Sequence, residues 1–163
     1  LNKELFNFAP GQIKILDMEY TDHPEWSFTF TKKDGSIDIT VDGINEGKKV
    51  NIAALTGYFG LFQHVYAEGY PKNVSKERID SLLKAKPYCI LSVTDVNRQI
   101  KRLVIHKRPH FDSMHSLFDK EGKPLTHDPE RFYAFKEGSS RVMLIQELVF
   151  HNILSKYQDF LVK

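Results

Sequence analysis

The stretch Trp26-Ser27-Phe28-Thr29-Phe30-Thr31-Lys32-Lys33-Asp34-Gly35-Ser36-Ile37-Asp38-Ile39-Thr40-Val41 decides the fold class. Trp26, Phe28 and Phe30 alternate with Ser27, Thr29 and Thr31. Beyond the Lys-Lys-Asp-Gly turn at 32–35, Ile37, Ile39 and Val41 alternate with Asp38 and Thr40. Period two on both sides of an Asp-Gly turn is the signature of a β-hairpin with one buried face. Trp26, Phe28 and Phe30 are expected to share that face.

Toward the N-terminus, Ile13 to Tyr20 reads as a strand with apolar residues on both faces. Residues 1–12 read as an extended lead-in ending at Pro10-Gly11, and Thr21-Asp22-His23-Pro24 as a turn. Toward the C-terminus, Asp42 to Lys49 is a flexible connection, and from Asn51 the period changes. Leu55, Tyr58, Phe59, Phe62, Val65 and Tyr66 recur at steps of three and four, which predicts one amphipathic helix stopped by Gly69 and Pro71. Gly57 and Gly60 inside it cost roughly 1 kcal/mol each against Ala, which implies close packing on a sheet.

Ser75 is placed to cap a second, short helix through Ile79, Leu82 and Leu83, with Glu77 in its first turn and Pro87 beyond its end. Two more hairpins follow. One runs from Tyr88 to Lys107 around Asp95-Val96-Asn97-Arg98. The other pairs 131–135 with 141–145 around Glu137-Gly138-Ser139-Ser140. A final helix carries Leu148, Val149, Ile153, Leu154 and Tyr157, with Leu148, Ile153, Leu154 and Tyr157 expected to be buried. Residues 1–163 thus read as a single α+β domain. Its sheet is largely antiparallel and built from hairpins, with two to three helices packed on one face.

Composition narrows the function classes. Apolar residues are 41% and charged residues 27% of the 163, in the normal range for a globular domain. The 23 basic and 21 acidic residues leave a net charge of +2. The basic run Arg98, Lys101, Arg102, His106, Lys107, Arg108 is interleaved with Ile100, Leu103, Val104 and Ile105 and reads as strand flanks. No nucleic-acid partner is expected, because such a surface needs a larger clustered excess. No apolar run reaches the roughly 18–20 residues of a membrane span. The single Cys89 excludes an internal disulfide or a thiolate zinc site, and within Tyr88-Cys89-Ile90-Leu91 it reads as core. The chain opens at Leu1 without a leader, so it reads as a fragment or a processed chain.

Catalytic signatures are missing. There is no Gly-x-Ser-x-Gly elbow, no Gly-x-Gly-x-x-Gly and no Walker-type run. Asp119-Lys120-Glu121-Gly122 reads as a turn rather than a calcium loop. Glu147 and His151 read as a surface pair. One cluster has metal-ligand chemistry: the 106–128 loop with His106, His110, Asp112, His115 and His127. Imidazole and carboxylate suit zinc, but the spacing matches no helical metal motif, and a solvated loop collects the same residues. Phe111 and Phe118 in that loop are candidates for a partner surface. Trp26 and the tyrosines fit either core packing or a carbohydrate-binding platform.

The segments Asp128-Pro129-Glu130-Arg131-Phe132-Tyr133-Ala134, Leu144-Ile145-Gln146 and Val149-Phe150 resemble an uncharacterised family of Bacteroidetes envelope proteins. These are lipoproteins built from two related α+β halves, and a related domain is found beside gliding-type transporter subunits. The resemblance to the later half extends to Ser27-Phe28 and to a helix ending near Phe62. It departs at His151, where an Asp is expected. It implies the C-terminal domain of an exported protein, periplasmic or outer-membrane associated and tethered by a lipid anchor outside this chain. It carries over no catalytic residue and no cofactor. The leading expectation is therefore a non-enzymatic binding or scaffolding domain whose partner is another envelope protein or polymer. A metal-dependent hydrolase using loop 106–128 is the first alternative and a carbohydrate-binding module the second.

Overall fold

The computed structural model describes residues 2–109, 112 and 118–163; His110, Phe111 and His115 lie outside the described residues. The elements in chain order are β1 (Glu4–Phe6), β2 (Ile13–Tyr20), β3 (Phe28–Lys33), β4 (Ser36–Thr40), α1 (Ile52–Phe59), β5 (Val65–Tyr66), α2 (Lys76–Lys84), β6 (Cys89–Asp95), β7 (Ile100–Pro109), β8 (His127–Lys136), β9 (Met143–Gln146) and α3 (Glu147–Phe150). The fold is α+β. Among the described residues seven strands form one sheet in the order β4-β3-β2-β6-β7-β8-β9, every neighbour antiparallel, and β1 and β5 form a small second sheet.

The 26–41 stretch folds largely as its alternation requires. Phe30 pairs with Ile39 and Lys33 with Ser36, and Gly35 takes the left-handed backbone (φ 74°) that the tight turn needs. Phe28 and Phe30 point into the main core and contact Tyr58 of α1 and Phe160 near the C-terminus at ring-centroid distances of 4.8–6.0 Å. Trp26 departs from the expectation. It ends a 3-10 turn that begins at Pro24, because Pro24 favours that turn over a ladder position.

The halves of the sheet meet where β2 pairs with β6, placing Leu16 opposite Val93 and Met18 opposite Leu91. β8 shows how the two faces are used. Phe132 and Ala134 join the main core, with Leu55, Tyr58 and Phe59 of α1 and Phe150 of α3. The alternate residues Tyr133 and Phe135 join a second cluster with Leu82 of α2 and Val142. Since neighbouring strand residues point to opposite faces, α2 covers the face opposite to α1, and the helices do not all share one side. The continuous apolar run 132–135 is the physical reason: both faces there need cover.

Three other expectations are corrected. Residues 1–12 are not a plain lead-in, because β1 pairs with β5 and Phe8 N–H donates to the Phe62 carbonyl (2.8 Å). That pairing draws the chain out of helix: α1 stops at Phe59, a 3-10 turn follows, and His64 (φ 53°) turns the backbone into β5. Gly57 and Gly60 are exposed, and a methyl group added at either would meet open space, so neither marks close packing on the sheet.

The last helix is a single turn. Leu148 is 86% exposed, whereas Ile153 and Tyr157 are buried as expected and Leu154 partly so. Two core tyrosines intercept the backbone beyond it: Tyr58 O–H donates to the Ile153 carbonyl (2.7 Å) and Tyr20 O–H to the Ser155 carbonyl (2.6 Å). Among the described residues no helix is long and apolar enough to cross a membrane.

Candidate functional site

The second face of the sheet, beside α2, brings together the partly buried charged side chains of Arg78, Arg108, Asp112 and Asp128. Ser75 caps α2 by accepting from the Arg78 N–H (3.1 Å), which fixes Arg78 in the first turn and aims its side chain toward β7 and β8. In those strands His106 pairs with Tyr133 and Lys107 with Phe132, and then the register slips before Pro109 meets His127. Pro109 has no N–H to offer the ladder. Arg108 sits at this irregularity.

Arg108 Nη1 lies 2.6 Å from Asp128 Oδ2; the Asp128 side chain is 0% exposed and that of Arg108 15%. The other oxygen of Asp128 accepts from the Glu130 N–H (2.8 Å) and holds the Asp128-Pro129 bend. Asp128 thus sets the position of Arg108. The Arg108 guanidinium lies 5.6 Å from the Tyr133 ring centroid and donates through Nη2 to the Asp112 backbone carbonyl.

Two donors converge on one oxygen of Asp112. Arg78 Nη2 (3.1 Å) and the Tyr133 hydroxyl (2.9 Å) both reach Oδ2. Around them is a cleft of about 500 Å³, lined by Lys72, Ser75, Arg78, Arg108, Asp112 and Tyr133 among others. Burial and the Asp112 carboxylate raise the pKa of Tyr133, against the pull of Arg108. Burial works to lower the pKa of Arg108, but its bonds to the Tyr133 hydroxyl and Asp128 raise it on balance. At neutral pH the cleft therefore presents cationic guanidinium, which only donates, and a protonated phenol, which can donate to an anion.

The histidines and phenylalanines singled out in the sequence are dispersed. His110, His115 and Phe111 lie outside the described residues. His106 is buried with its ring edge-on to Phe135, and burial lowers its pKa. Exposed His127 bonds through Nδ1 to Thr126 Oγ1 (2.9 Å). Asp112 is engaged by Arg78 and Tyr133. Among the described residues no three of His, Cys, Asp and Glu are grouped to hold a metal. Phe118 is 54% exposed, in a bridge with Pro124. Asp119 Oδ1 accepts from the N–H groups of Glu121 and Lys123 and makes the turn read there. Cys89 is fully buried, and burial pushes its thiol pKa well up.

Trp26 has both ring faces occupied. His23 stacks on it at 3.7 Å between centroids, and Lys156 Nζ lies 3.6 Å from the same centroid. Two groups that close cannot share one face, so neither face is free to stack on a sugar.

Arg78 and Tyr133 are not among the candidate site residues of the sequence, and Asp128 enters there only as the neighbour of His127 at the end of the loop. Arg78 is 34 residues from Asp112, and no local spacing reveals such a contact. The usable signal was the apolar run Phe132-Tyr133-Ala134-Phe135, which implies a covered second face and hence an edge where α2 meets the strands. Comparison with known family models, curated proteins and solved structures returned no match.

Proposed function

We propose that this chain is a non-enzymatic binding domain whose recognition site is the cleft between α2, β7 and β8. The observation that carries the proposal is the convergence of Arg78 and Tyr133 on one carboxylate oxygen beside Arg108, which is itself held by a buried carboxylate. Fixed donors in a concave site are what recognition requires. Catalysis by the same groups would need a free base or nucleophile, and both carboxylates of this cluster already accept hydrogen bonds from arginine.

The resemblance read from 128–134 and 144–150 supports placing the domain at the C-terminal end of an exported, lipid-anchored envelope protein. Its partner is then another envelope protein or polymer. The competing readings are a metal-dependent hydrolase and a carbohydrate-binding module, and the covered faces of Trp26 weigh against the second.

A photo-crosslinking residue at Asn73, in the cleft wall, tests the proposal in cells. It is expected to capture one defined envelope component, while the same probe at Asp34, on the β3–β4 turn, captures none. Equal capture from both positions would remove the cleft from the account. So would zinc-dependent turnover in a hydrolase screen that is lost in His110→Ala or His115→Ala.

A further inference from the structure

We infer that the cleft binds an oxyanion, carboxylate or phosphate, and that Asp112 occupies this site as a built-in competitor. The inference rests on the recognition reading above and names its ligand class. A guanidinium N–H, which can only donate, and a phenol O–H aimed at the same oxygen make a position that suits an anion. The oxygen they hold belongs to Asp112 Oδ2, at 3.1 and 2.9 Å. An incoming carboxylate or phosphate oxygen meets the same two donors by taking that position.

The charge count points the same way. Arg108 is matched by Asp128, whose side chain is fully buried. Asp112 pairs with Arg78 at 3.1 Å, and Lys72 lines the same cleft. With the Asp112 side chain removed, the Arg78 and Tyr133 donors still aim at that position beside the first turn of α2, which also favours negative charge.

Space is available as well. The cleft of about 500 Å³ is what remains with Asp112 in place, so the ligand need not open the core. The anchor of the Asp112 backbone is separate from its side chain, because Arg108 Nη2 binds the main-chain carbonyl. Truncating the side chain should thus empty the anion position and leave the backbone contact.

Calorimetric titration with inorganic phosphate, and separately with acetate, tests this on the wild type, Asp112→Ala and Asp112→Ala/Arg78→Gln. Asp112→Ala is expected to bind phosphate, acetate or both with saturable affinity at least tenfold tighter than wild type, weakening as salt rises. Which anion responds assigns the ligand to phosphate or carboxylate chemistry. The double variant should return to the wild-type level or below while melting at the same temperature as Asp112→Ala. Asp112→Asn keeps the size of the side chain without its charge and should fall between wild type and Asp112→Ala. If folded Asp112→Ala binds neither anion better than wild type, or if Arg78→Gln leaves the gain intact, the inference is overturned. In that event specific crosslinking from Asn73 would still uphold the recognition reading, so the two failures are distinguishable.

Discussion

At the residue scale, Asp128 and His106 lead to opposite kinds of test. Removing one partner of a buried ion pair strands the other, and such losses run to about 3–5 kcal/mol. Asp128→Ala is expected to cost about that much in a urea titration, because Arg108 would keep a buried charge with its carboxylate partner gone. The exposed pair Lys33–Asp38 should yield under about 1 kcal/mol when broken the same way. Equal costs at the two sites would mean that Asp128 is not buried as described.

His106 bears on pH. Burial lowers its folded pKa below the unfolded value of about 6.5, so the unfolded chain binds the proton more readily. Its contribution to stability is then complete above about pH 6.5 and is lost as pH falls toward the lowered value. Lys107 and His127 line the same hollow, with Asp22, His23 and Lys86 across it. His127 is shifted in the same direction and leaves a residual slope. His106→Leu should flatten the part of the stability loss between pH 7 and 5 that belongs to His106; an unchanged slope would assign that loss elsewhere.

At the element scale, the C-terminal segment separates side chains that hold the fold from those that merely match its pattern. Ile153→Ala is expected to cost on the order of 2–5 kcal/mol, since Ile153 is buried in the main core. Leu148→Ala should stay within about 0.5 kcal/mol, because that side chain is exposed. Denaturant midpoints for the two variants check both values, and a reversed order would mean that a longer helix packs there.

The strands were the legible part of the sequence. Ile13–Tyr20 and the paired segments around Asp34-Gly35 and Asp95-Val96-Asn97-Arg98 all form strands close to where alternation placed them. Ser75 was legible as a cap for the same local reason. Helix lengths were not. The apolar spacing through Phe62 and Val65, and through Ile153 and Tyr157, serves the core equally well in 3-10 turns and short strands. Tertiary hydrogen bonds from β1 and from Tyr58 and Tyr20 decide between those states. The cleft was the least legible, because α2, β7, β8 and Asp112 meet only through the fold.

At the scale of the whole molecule, β2 and β6 form the seam between the first and second halves of the sheet, with each strand flanked on both sides. Amides of Leu16, Met18, Leu91 and Val93 should therefore exchange most slowly, and those of the edge strand β4 far faster. Uniform protection across β4 would point to an edge covered by something else. The cleft lies on the β9 side of this seam, where α2 meets β7, the direct neighbour of β6, and β8. Amide-shift mapping of the labelled Asp112→Ala protein, in which the anion position is vacated, titrated with inorganic phosphate and with acetate, tests the central claim most directly. Shifts confined to residues near 72–78, 108, 112 and 128–133 are expected for at least one of the two anions. Shifts centred instead on the basic hollow at Lys86 and Lys107, or no localised shifts with either anion, would contradict it.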